Sequence, residues 1–260
     1  MKWFDAGVNL LDPRFDLAEL LDESAEAGVT DLLVISSNIA ESEQAVAMVL
    51  SHSSKQISLH TTAGIHPHHA DHACAQSWSK LRSLLVDTAV CAVGECGLDF
   101  NRNFSTQQNQ IQAFDAQLQI AVEHQKGVYL HERDAFAEQC KMLLPVYQHL
   151  PFLVAHCFTG TPAQMQTYLD MGCYIGITGW VCDDARGASL QQAVKDLPLD
   201  RLLLETDAPY LFPKTVRPRS KQNAPKYLVA IAEKVAQIKQ LPVQRIAQSA
   251  YANAKSLFTD

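Results

Sequence analysis

Val128-Tyr-Leu-His131 and Phe152-Leu-Val-Ala-His156 are two short apolar runs, each closing on a histidine. Neither alternates apolar with polar residues as a half-exposed strand does. Continuous apolarity is what a strand buried on both faces of a parallel sheet requires. Outward from this pair, comparable runs recur at 3–8, 31–36, 58–64, 90–94, 173–178 and 201–205. Eight strands are therefore expected.

Helical periods lie between them. Residues 14–27 carry Phe15, Leu17, Leu20 and Leu21 at helical spacing and stop at Gly28, which suits the left-handed position after a helix. Residues 107–126 place Ile111, Phe114, Leu118, Ala121 and Val122 on one face and stop at Gly127. Weaker patterns cover 41–50, 78–86, 135–149 and 162–171, and two more, 225–240 and 242–257, close the chain. Strand–helix alternation along residues 1–260, without repeat or linker, predicts one α/β domain: a single TIM-type (β/α)8 barrel. An open doubly wound sheet is the alternative, but the glycine-rich dinucleotide turn it often carries is missing.

Composition narrows the function. A net charge of −7 argues against holding nucleic acid by bulk electrostatics, although a bound cation can supply positive charge locally. Seven scattered cysteines without a C-x-x-C pair read as free thiols in a reducing compartment. The opening MKWFDAGVNL lacks a signal-peptide apolar region, and no run approaches the roughly 18 apolar residues that span a bilayer. A cytoplasmic monomer is expected.

Candidate ligands fall at the ends of the apolar runs. Glu95 follows 90–94, His131 and His156 end theirs, and Asp207 follows 201–205. In a barrel these ends open on one face, where catalytic groups gather. Singly, each is more ordinary as a hydrogen-bonded histidine or a helix cap. Together, two imidazoles and two carboxylates make a mixed N/O site for a divalent cation. Hard carboxylates suit Mg²⁺ or Mn²⁺, and imidazoles also suit Zn²⁺. His66, at the end of the third run, and Arg133, two residues past a ligand, are candidate substrate contacts. So is the basic cluster Lys214, Arg217, Arg219, Lys221 and Lys226, with Phe158, Trp180, Tyr210 and Phe212 as candidate stacking partners for bases. Cys157 is expected to face away from the site into the core.

Gly64-Ile-His-Pro-His68, Gly94-Glu-Cys-Gly-Leu-Asp99, Leu130-His-Glu-Arg133, Ala155-His-Cys-Phe-Thr-Gly160 and Leu204-Glu-Thr-Asp-Ala-Pro-Tyr210 together resemble the TatD family of metal-dependent deoxyribonucleases. The likeness runs nearly to the chain's end. It implies Mg²⁺ dependence and exonucleolytic cleavage of single-stranded DNA or RNA from the 3′ end, in DNA repair or nucleic-acid degradation. It also implies that Glu95, His131 and His156 are metal ligands, and that Asp207, beside the metal, orients or deprotonates the attacking water. Much of the family opens with Asp-x-His-x-His, whereas this chain has Asp5-Ala-Gly-Val-Asn9, with Gly7 and Asn9 at the histidine positions. One tight cation site is therefore expected. Ala224 stands where the family often has Glu. The competing readings are an ester or amide hydrolase of a non-nucleic substrate, which the basic loop disfavours, and a catalytically weak binding protein.

Overall fold

The computed structural model describes residues 1–52 and 56–259. Eight parallel strands pair in sequence order: β1 (Trp3–Val8), β2 (Val29–Val34), β3 (Ser58–Ala63), β4 (Val90–Asp99), β5 (Gly127–Arg133), β6 (Leu153–Ala155), β7 (Tyr174–Ile177) and β8 (Leu202–Leu204). The last seam is closed just beyond β8. Val8 bridges Ala208, Asn9 N donates to Ala208 O at 2.9 Å, and Asp207 N donates to Gly7 O at 2.9 Å. The backbone pairing that shuts the barrel is thus also what fixes Asp207.

Helices α1 (Leu17–Glu26), α2 (Ile39–Ser51), α3 (Ala75–Leu85), α4 (Gln107–His124), α5 (Phe136–Leu143), α6 (Pro162–Asp170), α7 (Ala188–Asp196), α8 (Leu228–Lys239) and α9 (Val243–Phe258) fill the connections. Several starts follow from local chemistry: Asp16, Asn38 and Thr106 each accept a backbone N–H of the first turn, and Thr161 with Gln164 forms a capping box ahead of Pro162. One sequence expectation needs correction. The period at 135–149 stops at Leu143, because Pro145 cannot continue a helix. Helix α7 lies within 179–200, a stretch to which the sequence pattern assigns no named element.

Strand alternation sorts the apolar side chains. Phe4, Ala6, Leu33, Ala92, Tyr129, Val154 and Leu203 form one buried cluster in the barrel interior, sealed from below by Phe258 of α9, whose ring lies 5.8 Å from those of Phe4 and Phe152. The neighbouring positions Leu32, Val93, Val128, Leu130, Leu153 and Leu202 belong to the larger layer between sheet and helices. Counting two residues on from Tyr129, Val154 and Leu203 reaches His131, His156 and Glu205. The same parity that packs the floor therefore points these three polar groups into the mouth.

Among the described residues no helix is long and apolar enough to cross a membrane.

Candidate metal centre

β4 and β5 run further than the apolar runs suggest, so Glu95 and His131 lie within strands and not past their ends. The reason is a bulge. Gly94 pairs with Tyr129 and Cys96 with Leu130, which leaves Glu95 as the extra residue between them. A bulge at a barrel rim re-aims one side chain, and here it turns the Glu95 carboxylate inward. His156 directly follows β6, and Asp207 is the third residue after β8.

Three imidazoles converge on Glu95. Its Oε1 lies 2.7 Å from His131 Nδ1, 3.4 Å from His66 Nε2 and 3.7 Å from His156 Nε2. Burial opposes its charge, yet His66 and His156, with the bonds from His131 and His66, hold the carboxyl well below the usual range. On the other side of the His131 ring, Nε2 lies 3.3 Å from Asp99 Oδ2, which also meets His68 Nε2 at 2.7 Å. Asp99 is itself fixed by Asn101 N and Arg102 N, which donate to Oδ1. Two carboxylates thus outweigh burial and raise the His131 pKa. His66 differs. Its Nδ1 accepts from His68 N at 3.1 Å, and burial pushes its pKa down to about 4. It is a neutral imidazole whose hydrogen sits on Nε2.

Behind His156 lies a network that sequence pattern alone did not reveal. Nδ1 meets Glu205 Oε2 at 2.5 Å, Tyr129 Oη donates to the same oxygen at 2.5 Å, and Cys157 N donates to Glu205 Oε1 at 2.6 Å. Tyr129 Oη also lies 2.8 Å from Ala6 O and from His156 Nδ1. Glu205 is fully buried. A carboxylate on one ring nitrogen orients a ligating histidine and raises its basicity, so Nε2 is left facing the mouth. Burial lowers the His156 pKa, but Glu205 and Glu95 push it up to about 10. Position 7 makes this possible. A Cβ on Gly7 would overlap Tyr129 Oη and lie 2.7 Å from Glu205 Oε2, closer than the 3.0 Å that real Cβ atoms keep. Gly7 is therefore more than a lost ligand position: its bareness is where the tyrosine hydroxyl sits. Parity on β8 marked Glu205 as inward, which was the available signal.

Asp207 adopts a left-handed conformation (φ 53°) and its Oδ1 lies 3.9 Å from His156 Nε2. Asn9 Nδ2 donates to that oxygen at 3.0 Å, so Asn9 presents its amino end to the carboxylate it steadies. Burial, with the charges of Glu95 and Glu205, pushes the Asp207 pKa up to about 6 against the pull of His156. Cys157 departs from expectation. The chain leaves β6 with φ 44° at this residue, so strand alternation no longer applies, and its thiol lies 3.5 Å from Thr178 Oγ1 on the site side. The donor atoms form two compact groups, His66–Glu95–His131 and His156–Cys157–Asp207, each within 4.8 Å. The expected four ligands are spread over both, joined by the approach of His156 to Glu95. Two imidazoles and two carboxylates with oriented rings are a donor set that fits a divalent cation.

The expected substrate contacts divide. Arg133 Nη1 donates to Thr159 Oγ1 at 2.6 Å, at the rim between β5 and β6. In the basic loop, Lys214 pairs with Asp183 and Lys226 with Glu23, each at 2.6 Å, and Arg217 is turned back onto carbonyls of its own loop. Arg219 and Lys221 are exposed and unpaired among the described residues. Phe158 is buried against Tyr168, Trp180 lies beneath Arg186, and Phe212 packs on Tyr227. Only Tyr210 of the four is exposed, with Arg14 over its ring. The loop carrying Ala224 is held by its neighbour: Asn223, fully buried, donates from Nδ2 to Thr206 O at 2.8 Å.

The barrel and its polar mouth define a hydrolase of the TIM-barrel, metal-dependent class. The chain matches a TatD homolog from Escherichia coli K12 with a TM-score of 0.89 and 26% identity, covering 99% of this chain and 98% of that one. A TatD-family hydrolase from Entamoeba histolytica, 22% identical, shares the fold with a TM-score of 0.90 over 100% and 98% of the two chains. The chain belongs to the TatD related DNase family, whose model matches residues 4–259. It is 45% identical over 259 residues to the protein of Pantoea ananatis named 3′-5′ ssDNA/RNA exonuclease TatD, and 43% identical to its namesake in Salmonella typhimurium, covering 98% of each chain.

Proposed function

We propose that this protein is a cation-dependent 3′–5′ exonuclease of single-stranded DNA and RNA. The carrying observation is the approach of His131 and His156 to one buried carboxylate, Glu95, at the catalytic mouth of the barrel. The curated relatives bearing that activity in their names support the substrate.

Glu95, His131, His156 and Asp207 would hold the cation, in one tight site, with Mg²⁺ favoured by the carboxylates and Mn²⁺ or Zn²⁺ as alternatives. A bound divalent ion supplies charge neutralisation at the phosphoryl oxygen and lowers the pKa of water. Glu205 and Tyr129 keep the His156 ring in one tautomer with Nε2 toward the mouth. Asp207, steadied by Asn9 and poised near pH 6, accepts the proton of the attacking water. His66 Nε2, which faces Glu95 in the cation-free site, would turn its hydrogen to a phosphate oxygen once a cation takes up that carboxylate, as a substrate contact and not a cation ligand. Arg133 supplies a second, charged contact from the rim. Free cysteines throughout the described residues support a reducing, cytoplasmic setting, and we assign the working unit as a monomer.

The test is cleavage of end-labelled single strand, RNA and blunt duplex in Mg²⁺, Mn²⁺, Zn²⁺ or EDTA. Cation-dependent loss of nucleotides from the 3′ end of single strands is expected. Equal rates on duplex, or loss beginning at the 5′ end, would refute the assignment.

A further inference from the structure

Among the described residues two aromatic side chains are exposed, Phe104 at 65% and Tyr210 at 50%. Both lie on loops that leave the C-terminal ends of strands, on the face that carries the candidate metal centre. The other exposed large apolar side chains, Met1, Leu50, Val86, Leu144 and Leu241, are aliphatic and sit at the terminus or around helix ends, where single exposures are ordinary. An exposed phenylalanine beside a polar reaction centre is not accounted for in that way.

Phe104 is also held in place. Asn103 is left-handed (φ 48°) and its Nδ2 donates to Phe100 O at 2.6 Å. Ser105 on the other side is buried, donates to His68 O at 3.0 Å and accepts from Asp71 N at 3.0 Å. Backbone pinned on both sides thus presents an aromatic ring to solvent. That ring meets His68 edge-on at 4.7 Å, and His68 in turn lies 4.2 Å from His66 and binds Asp99 beneath His131. Two ring contacts therefore link Phe104 to the cluster around Glu95.

We propose that Phe104 is a stacking platform for an unpaired nucleobase of the strand being degraded, close to the phosphate under attack. The inference rests on the exonuclease reading above and deepens it. A ring held nearly perpendicular to His68, in a residue 65% exposed, loses little entropy when a base covers it. Every base has a π-face, so the contact tolerates any sequence, but a base paired within a duplex cannot offer it. The platform thus selects single strands without reading them, while the cation and His66 handle the phosphate.

The test compares wild type, Phe104→Ala and Phe104→Trp on an oligonucleotide, and on the same oligonucleotide with an abasic nucleotide stepped through its 3′ end. Phe104→Ala is expected to raise KM roughly 10- to 100-fold, the loss of one base–aromatic stack. Phe104→Trp should stay near wild type. An abasic nucleotide at one position should cost wild type a similar factor and cost Phe104→Ala nothing more. Equal KM in wild type and Phe104→Ala, or equal abasic penalties in both, would overturn the proposal while leaving the exonuclease reading intact. A wild-type protein that cleaves no nucleic acid would overturn the exonuclease reading first, and this inference with it.

Discussion

Replacing Gly7 by alanine should destabilise this protein, although its backbone conformation is one alanine adopts freely. At such a site the change ordinarily stabilises by about 0.4–1 kcal/mol, through the unfolded chain. Here the added methyl overlaps Tyr129 Oη and crowds Glu205 Oε2 to 2.7 Å. Overpacking of this kind costs roughly 1–3 kcal/mol. If the tyrosine moves aside, its buried hydroxyl leaves Ala6 O and Glu205, adding roughly 1–3 kcal/mol for an unsatisfied polar group. The net expectation is about 1–6 kcal/mol, which corresponds to a fall in Tm of roughly 2–20 °C for a chain of this size. Cation affinity should fall too, by about 10- to 100-fold, because Glu205 no longer orients His156. Calorimetric unfolding in EDTA and a cation titration would measure both. Tyr129→Phe removes the overlapping oxygen, so the double variant should lose less than the sum of the two single changes. Strict additivity, or a Gly7→Ala protein as stable as wild type, would refute the steric argument. By the same geometry, placing histidine at position 7 to rebuild the family's first-strand pair would dismantle the His156 support and would not add a ligand.

Glu205→Gln should weaken cation binding about 10- to 100-fold while leaving unfolding cooperative; unchanged affinity by titration calorimetry would show that Glu205 does not act through His156. In the cation-free protein His156 has its pKa raised to about 10, and His131 is raised as well, so both hold protons that a cation must displace. Affinity should therefore climb with pH toward about 10, with proton release visible as a buffer-dependent heat at pH 8, and a heat that is the same in every buffer would count against this. The same raised His156 pKa stabilises the cation-free fold fully below the unfolded value of 6.5 and ceases to do so as pH rises through about 10. In the basic loop, Arg219→Ala with Lys221→Ala should lower the salt slope of single-strand binding by about 0.7 for each phosphate no longer neutralised, whereas Lys214→Ala, whose charge is spent on Asp183, should change it less. An equal effect from Lys214 would reverse that assignment.

Local pattern was enough for the barrel and for most of the polar groups that converge at its mouth. Apolar runs of strand length, ended by His131 and His156, state both that the strands are buried on two faces and which end opens to chemistry. Those are properties of neighbouring residues, and neighbouring residues are what a sequence displays. Pro145 cuts short a period that otherwise runs through 135–149. The fate of the basic loop was beyond local reading as well. The partners that occupy Lys214 and Lys226 come from other elements, at Asp183 and Glu23. Strand parity would turn Cys157 into the core, but the backbone goes left-handed at that residue. Glycine at position 7 reads as an absence in the sequence, because its partner Tyr129 lies more than a hundred residues away. Only closure of the barrel brings β1, β5 and the end of β8 around one small volume, where a tyrosine hydroxyl fits because no side chain is there. Sequence determined which groups line the mouth; tertiary packing decided their orientation, since orientation depends on neighbours that chain order does not supply.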